Sequence, residues 1–152
     1  MKRLASLVCI AFVVMVVASG CKKTEPSADT DPKPETKSNP YAGTYVGTLS
    51  SVTEKYQKDS LKMVFVPGLL DKTNLLLYGF PLTKITEVKY EAKGELVITI
   101  IQLVTPGAKS ENIENASVEF TFSTGKVNMN ATYNVLGVAD VSVIKYEGVK
   151  QQ

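Results

Sequence analysis

Val118-Glu119-Phe120-Thr121-Phe122-Ser123-Thr124-Gly125-Lys126-Val127-Asn128-Met129-Asn130-Ala131-Thr132-Tyr133-Asn134-Val135 alternates apolar and polar residues on both sides of Thr124-Gly125. A period of two places every second side chain on one face, which is the pattern of a strand buried on one side only. Gly125 at the second turn position suits the positive φ that tight hairpin turns demand. The stretch reads as an antiparallel hairpin, with Val118, Phe120, Phe122, Val127, Met129, Ala131, Tyr133 and Val135 inward.

Outward from this hairpin, strand signals recur at residues 41–50, 61–66, 74–80, 84–91, 95–104 and 139–147. Residues 95–104 are apolar almost throughout, as expected of a strand with little exposed face. No stretch keeps a period of 3.6 for three turns. The expected fold is all-β, with eight short strands joined mostly by short turns. That number lets a sheet close and abolish its edges. A small antiparallel eight-stranded up-and-down barrel is the first expectation, and an open β-sandwich the second.

The start of the chain has a different character. Met1-Lys2-Arg3 precedes an uncharged apolar run over residues 4–17, and Val17-Ala18-Ser19-Gly20-Cys21 closes it. A basic start, an apolar middle and small residues at the cut make a secretory signal. Residues 4–17 are too few for the roughly 20 that a spanning helix needs. The small residues ending on cysteine resemble the lipobox of bacterial lipoproteins. That resemblance implies removal of residues 1–20 and acylation of Cys21, so that the chain meets the membrane through an N-terminal lipid. Lys22 after that cysteine resembles lipoproteins sent on to the outer membrane, on its periplasmic or cell-surface side. Residues 21–40 hold four of the seven prolines and no large apolar side chain. They read as a disordered, stiffened linker, with the barrel domain over residues 41–152.

Composition narrows the chemistry. Taking Lys2 and Arg3 from the 17 basic residues leaves 15 against 15 acidic, and a neutral chain lacks the basic footprint that nucleic acid requires. The chain has no His, and of its two cysteines Cys9 lies in the signal and Cys21 carries the lipid. The usual transition-metal ligand sets and His-activated nucleophiles cannot be assembled from what is left. The reading is a chain without metal or cofactor, and not an enzyme.

Tyr41-Ala42-Gly43-Thr44-Tyr45-Val46-Gly47-Thr48, Gly79-Phe80 with Lys84-Ile85-Thr86-Glu87-Val88, and Val143-Ile144-Lys145-Tyr146-Glu147-Gly148-Val149-Lys150 resemble the opening, middle and closing segments of the calycin-like lipoproteins of the Bacteroidetes. The resemblance spans about residues 39–150. It implies a small lipocalin-like barrel on a lipid anchor and carries little about function. Tyr45 stands where true lipocalins have Trp.

Several residues are candidates for a site. Tyr45 lies between Gly43 and Gly47 on one face, where the glycines either admit a ligand to the backbone or bend the strand. Leu69 and Leu70, in the apolar loop after Pro67-Gly68, either form a lip over a barrel mouth or tuck beneath the loop. Tyr133, with Tyr45, is among the large inward residues available to a ligand. Asn128, Asn130, Thr132 and Asn134 form a ladder that suits a glycan or a solvated outer face. Glu87, Glu91 and Glu95 are the one acidic cluster, and paired carboxylates can hydrolyse glycosides; alternation with Lys89 reads instead as an exposed charged face. Asp59-Ser60-Leu61 resembles the acceptor of the O-glycosylation system of Bacteroidetes, which implies modification of Ser60. Two functions stand open. One is a non-catalytic binding module for a small apolar or glycan ligand; the other is a surface interaction or inhibitor protein whose barrel is filled by its own side chains.

Overall fold

The computed structural model describes residues 37–152. Cys21 and the signal segment lie outside the described residues. Nine strands form one antiparallel sheet: β1 (Gly43–Ser51), β2 (Tyr56–Pro67), β3 (Leu75–Leu77), β4 (Phe80–Pro81), β5 (Thr83–Lys84), β6 (Lys89–Ala92), β7 (Ile113–Ser123), β8 (Lys126–Val135) and β9 (Val141–Lys150). Their order is β4-β3-β2-β1-β9-β8-β7-β6-β5, so each strand lies beside its neighbour in sequence and β9 returns to pair with β1. The edge strands β4 and β5 are separated along the chain by Leu82 alone. The sheet is therefore an up-and-down barrel that is nearly closed.

Where the expectation named eight strands, three segments differ. Residues 74–80 hold a tight hairpin, because Tyr78 and Gly79 take φ of 53° and 86° and turn β3 into β4. Two positive φ values in a row make the turn whose twist suits a two-residue hairpin. Residues 84–91 hold a second turn between β5 and β6, fixed by Thr86 Oγ1 accepting the N–H groups of Val88 and Lys89 at 3.4 and 3.1 Å. Residues 95–104 are not a strand: Glu95–Gln102 is helix α1, whose buried residues are Leu96, Val97, Ile100 and Ile101. That spacing of one, three and one is a helical stripe facing a core.

The inward faces of β1, β2, β7, β8 and β9 fill the barrel. Tyr45, Phe65, Phe120, Phe122, Tyr133 and Tyr146 are all at most 1% exposed, and α1 adds its own apolar stripe to the same core. Each such side chain contributes about 1.5–3 kcal/mol through burial.

Strand directions define two ends. At the loop end lie the start of β1, the loop of residues 68–74, the β5–β6 and β7–β8 turns and the end of β9. At the helix end lie the β1–β2 and β8–β9 turns, with α1 and the single 3-10 turn Ser110–Asn112 inserted between β6 and β7. β3 meets only Phe65–Pro67, so on that side the lower part of β2 has no strand partner among the described residues. Lys58, Asp59 and Lys62 stand exposed along this edge, as charges that discourage edge-to-edge pairing.

Candidate functional site

The loop end is closed by the segment before β1. Asn39 is buried, and its side-chain amide donates to Thr73 O at 2.6 Å and to the Tyr90 hydroxyl at 2.8 Å. Its backbone N–H reaches Lys72 O at 2.8 Å, and its Oδ1 accepts the Tyr41 N–H at 3.0 Å. This one residue pins the incoming chain across the mouth and lays Tyr41 flat on Phe122, with ring centroids 4.9 Å apart and planes at 18°. Phe122 in turn meets Tyr45, Phe65 and Tyr90 edge-on at 5.9, 5.1 and 5.5 Å. Edge-to-face and offset pairs of this kind are worth about 0.5–1.5 kcal/mol each beyond burial.

Over this aromatic floor lies an open cleft of about 510 Å³ whose lining includes Tyr41, Tyr45, Val88, Phe122, Thr124 and Lys150. Lys150 Nζ donates to Pro40 O at 2.9 Å and sits 6.0 Å from the Tyr45 ring centre. Burial, with the neighbouring Tyr41 phenol, raises the Tyr45 hydroxyl above its ordinary range, so it stays protonated and donates to Tyr41 O at 3.0 Å. A second cleft of about 240 Å³ beside it is lined by Lys37, Asn39, Thr73, Lys84, Glu87 and Tyr90, among others.

The candidates from sequence do not converge on one place. Tyr45 is on the loop-end floor, whereas Tyr133 is buried at the helix end, where it meets Thr105 Oγ1 at 2.9 Å and donates to Glu54 Oε1 at 3.3 Å. Leu69 and Leu70 do not tuck beneath their loop: they are 94% and 105% exposed, and neither lines the cleft. Ser60 is exposed at a bulge, since β1 advances two residues from Gly47 to Leu49 while β2 takes three from Leu61 to Lys58. Its φ of 57° re-aims the side chain out of the pleat. Asn128 and Asn130 line a shallow outer groove of about 180 Å³ with Glu119, Thr121, Lys145 and Glu147.

Glu87, Glu91 and Glu95 are dispersed. Glu87 pairs with Lys84 at 2.9 Å in the β5–β6 turn, Glu91 lies 3.5 Å from Lys93, and Glu95 opens α1 at the other end. The Lys84 amine is held above its ordinary range by its hydrogen bond to Glu87. Among the described residues no group of three or more His, Cys, Asp or Glu is placed to hold a metal ion. Nor, among those residues, is any helix long and apolar enough to cross a membrane.

Gly47 and Gly148 face each other across β1 and β9. A Cβ on Gly47 would lie 1.8 Å from Glu147 O, and one on Gly148 would lie 2.6 Å from the Tyr146 ring. Tyr146 uses that space, donating to Tyr45 O at 3.0 Å and Leu61 O at 3.1 Å. Gly47 thus serves the closure of the barrel, where β1 and β9 approach too closely for a side chain. Phe122 was legible from the sequence as an inward residue, whereas Asn39, Tyr41 and Lys150 were not singled out as site residues. The one available signal was Asn39-Pro40 at the composition boundary, which looks like the end of a linker until Thr73 and Tyr90 are seen beside it.

The fold and the two ends define a small antiparallel β-barrel, filled by its own side chains and capped at both ends. Compared with family models, curated proteins and solved structures, the chain finds no match.

Proposed function

We propose that this chain is a lipid-anchored, non-catalytic interaction module of the calycin-like kind, tethered at the outer membrane through Cys21. In this reading the barrel is a solid scaffold and the helix end engages a protein partner. The observation that carries the reading is the filled interior, which leaves the outer surfaces to do the binding. At the helix end, Val52 is 89% exposed, and Leu136, Val138 and Val141 are more than half exposed on the adjoining β8–β9 turn. The β1–β2 turn is tied to the ends of β8 and β9 by Glu54, whose Oε1 accepts from Ser142 Oγ and from the Tyr133 hydroxyl, both at 3.3 Å. Large apolar side chains exposed together at one end are an ordinary mark of a protein contact.

The test is photo-crosslinking of the full chain in its own cells, with the reactive residue at Val52, at Leu136 or at Lys145 on the barrel wall. Discrete adducts from the first two positions, absent from the third, are expected. Equal labelling from all three would contradict the reading. The 510 Å³ cleft supports a second reading, a small apolar or glycan ligand held over Tyr41 and Tyr45. Native mass spectrometry of the chain from its own host separates the two. A non-covalently retained mass favours the cleft, and the bare calculated mass favours the interaction module. Covalent extra mass on Ser60 would establish its glycosylation.

A further inference from the structure

The loop end carries features that neither the aromatic floor nor the helix-end patch uses. The loop of residues 68–74 is held rigid by hydrogen bonds from Gly68 N to Asn74 O at 3.0 Å and from Asn74 N to Asp71 O at 3.1 Å. Asp71 Oδ1 accepts from the Thr73 N–H and hydroxyl, which hold its carboxyl below the usual carboxylate range. The frame presents Leu69 and Leu70 side by side, fully in solvent, at the tip of the loop. Around them at the same end Ile85 is 55% exposed and Val66 40%.

Charge follows the same axis. Among the described residues, Lys37, Lys72, Lys84, Lys89, Lys126 and Lys150 lie at the loop end against Asp71, Glu87 and Glu147, the last in the same register row as Lys89. Glu87 is already paired with Lys84. The helix end reverses the sign: Glu54, Glu95, Glu111, Glu114 and Asp140 stand against Lys55, Lys93 and Lys109. The first described residues also lie at the loop end, because Asn39 is fastened to Lys72 and Thr73.

We infer that the loop end is a docking surface for an anionic phospholipid bilayer, with Leu69 and Leu70 inserted at the headgroup boundary and the lysines around them against lipid phosphates. A protruding apolar tip within a basic rim suits an interface that yields to insertion and carries diffuse negative charge. A protein groove would call for a flatter or concave patch. Two leucines alone hold a chain to a membrane weakly, so the lysines are required partners in this surface. With this end down, the acidic helix end and its apolar patch face away from the membrane.

The inference is testable without the lipid on Cys21. Among the described residues every member of the core cluster lies between Tyr45 and Tyr146, so a fragment from Pro34 to Gln152 keeps the whole of it. That fragment should float with vesicles containing phosphatidylglycerol and not with phosphatidylcholine alone, and added salt should release it. Leu69→Ser with Leu70→Ser should weaken binding at least roughly tenfold. Lys72→Gln and Lys89→Gln should each cost about fivefold. Val52→Ser with Leu136→Ser, at the opposite end, should leave binding unchanged. All these positions are exposed, and thermal melts confirm that each variant folds. As a second readout, Leu70→Trp introduces the only Trp in the chain, and its emission should shift to the blue with anionic vesicles. No flotation at low salt, or equal losses from the two leucine-end and helix-end variants, overturns the inference. An unshifted Trp spectrum does the same.

Discussion

The two ends of the barrel are closed by different means. At the helix end the plug is apolar: two turns of helix drive Leu96, Val97, Ile100 and Ile101 into the core from between β6 and β7. At the loop end the plug is a short segment that turns at Pro40-Tyr41, held by the hydrogen bonds of one buried asparagine and the stacking of one tyrosine. Removing the first opens the core over a large area. Removing the second disconnects a few residues and leaves the strands paired. One closure is therefore global and the other local, and the local one lies at the end that carries the exposed leucines and the lysines.

The largest effects should come from beneath the two plugs. Phe122→Ala, which removes the ring that Tyr41, Tyr45, Phe65 and Tyr90 all touch, should cost about 3–5 kcal/mol in chemical denaturation. Ile100→Ala should cost about 2–5 kcal/mol, and a silent variant would mean that α1 does not plug the barrel. Gly47→Ala, between the ends, should lose about 3 kcal/mol, because its new methyl group meets the Glu147 carbonyl and the β1–β9 seam must spread.

Alkaline pH sharpens the comparison at the seam. Burial pushes the Tyr146 hydroxyl up to about 12 from its ordinary value near 10. The folded chain then holds a proton that the unfolded chain gives up, so this contribution is fully present below pH 10 and declines as pH rises through about 12. Tyr146→Phe should flatten that decline in urea titrations between those limits. It should also lower stability at neutral pH by about 1–3 kcal/mol, since the carbonyls of Tyr45 and Leu61 lose their donor.

The smallest effects distinguish the plugs directly. Asn39→Ala should cost about 1–3 kcal/mol and accelerate amide exchange at residues 39–42 and 72–74 without exposing the β7–β8–β9 ladder. Exchange that accelerates throughout the sheet would show the loop-end closure to be global after all. Glu54→Gln should change stability by about 1 kcal/mol or less, because the amide oxygen can still accept from the Tyr133 and Ser142 hydroxyls.

Much of the barrel was legible because its long strands keep a strict period of two: β8 alternates buried Val127, Met129, Ala131 and Tyr133 with outward polar residues along nearly its whole length. Residues 95–104 misled because Val97, Ile98, Thr99, Ile100 and Ile101 are β-branched and favour strand by composition. Eight residues are too few for a helical period to declare itself, and placement over the barrel mouth overrode the local preference. Leu69 and Leu70 left lip and core open, since an apolar pair has no signal for whether its loop folds over or stands up; the Asp71–Thr73 hydrogen bonds make that choice. The site at the loop end was hidden for a related reason. Asn39 belongs by composition to the segment before the barrel, and its partners Thr73 and Tyr90 are 34 and 51 residues away.

The central claim is a filled barrel with two ends of different function, and amide NMR of the isotope-labelled unit Pro34–Gln152 titrated with phosphatidylglycerol-containing bicelles tests it most directly. Broadening confined to residues 68–74, 84–89 and 124–126, with the turns at 52–55 and 136–140 untouched, is the predicted result. Shifts centred on Phe120, Met129 and Tyr133 inside the barrel, or on the helix-end turns, would contradict it.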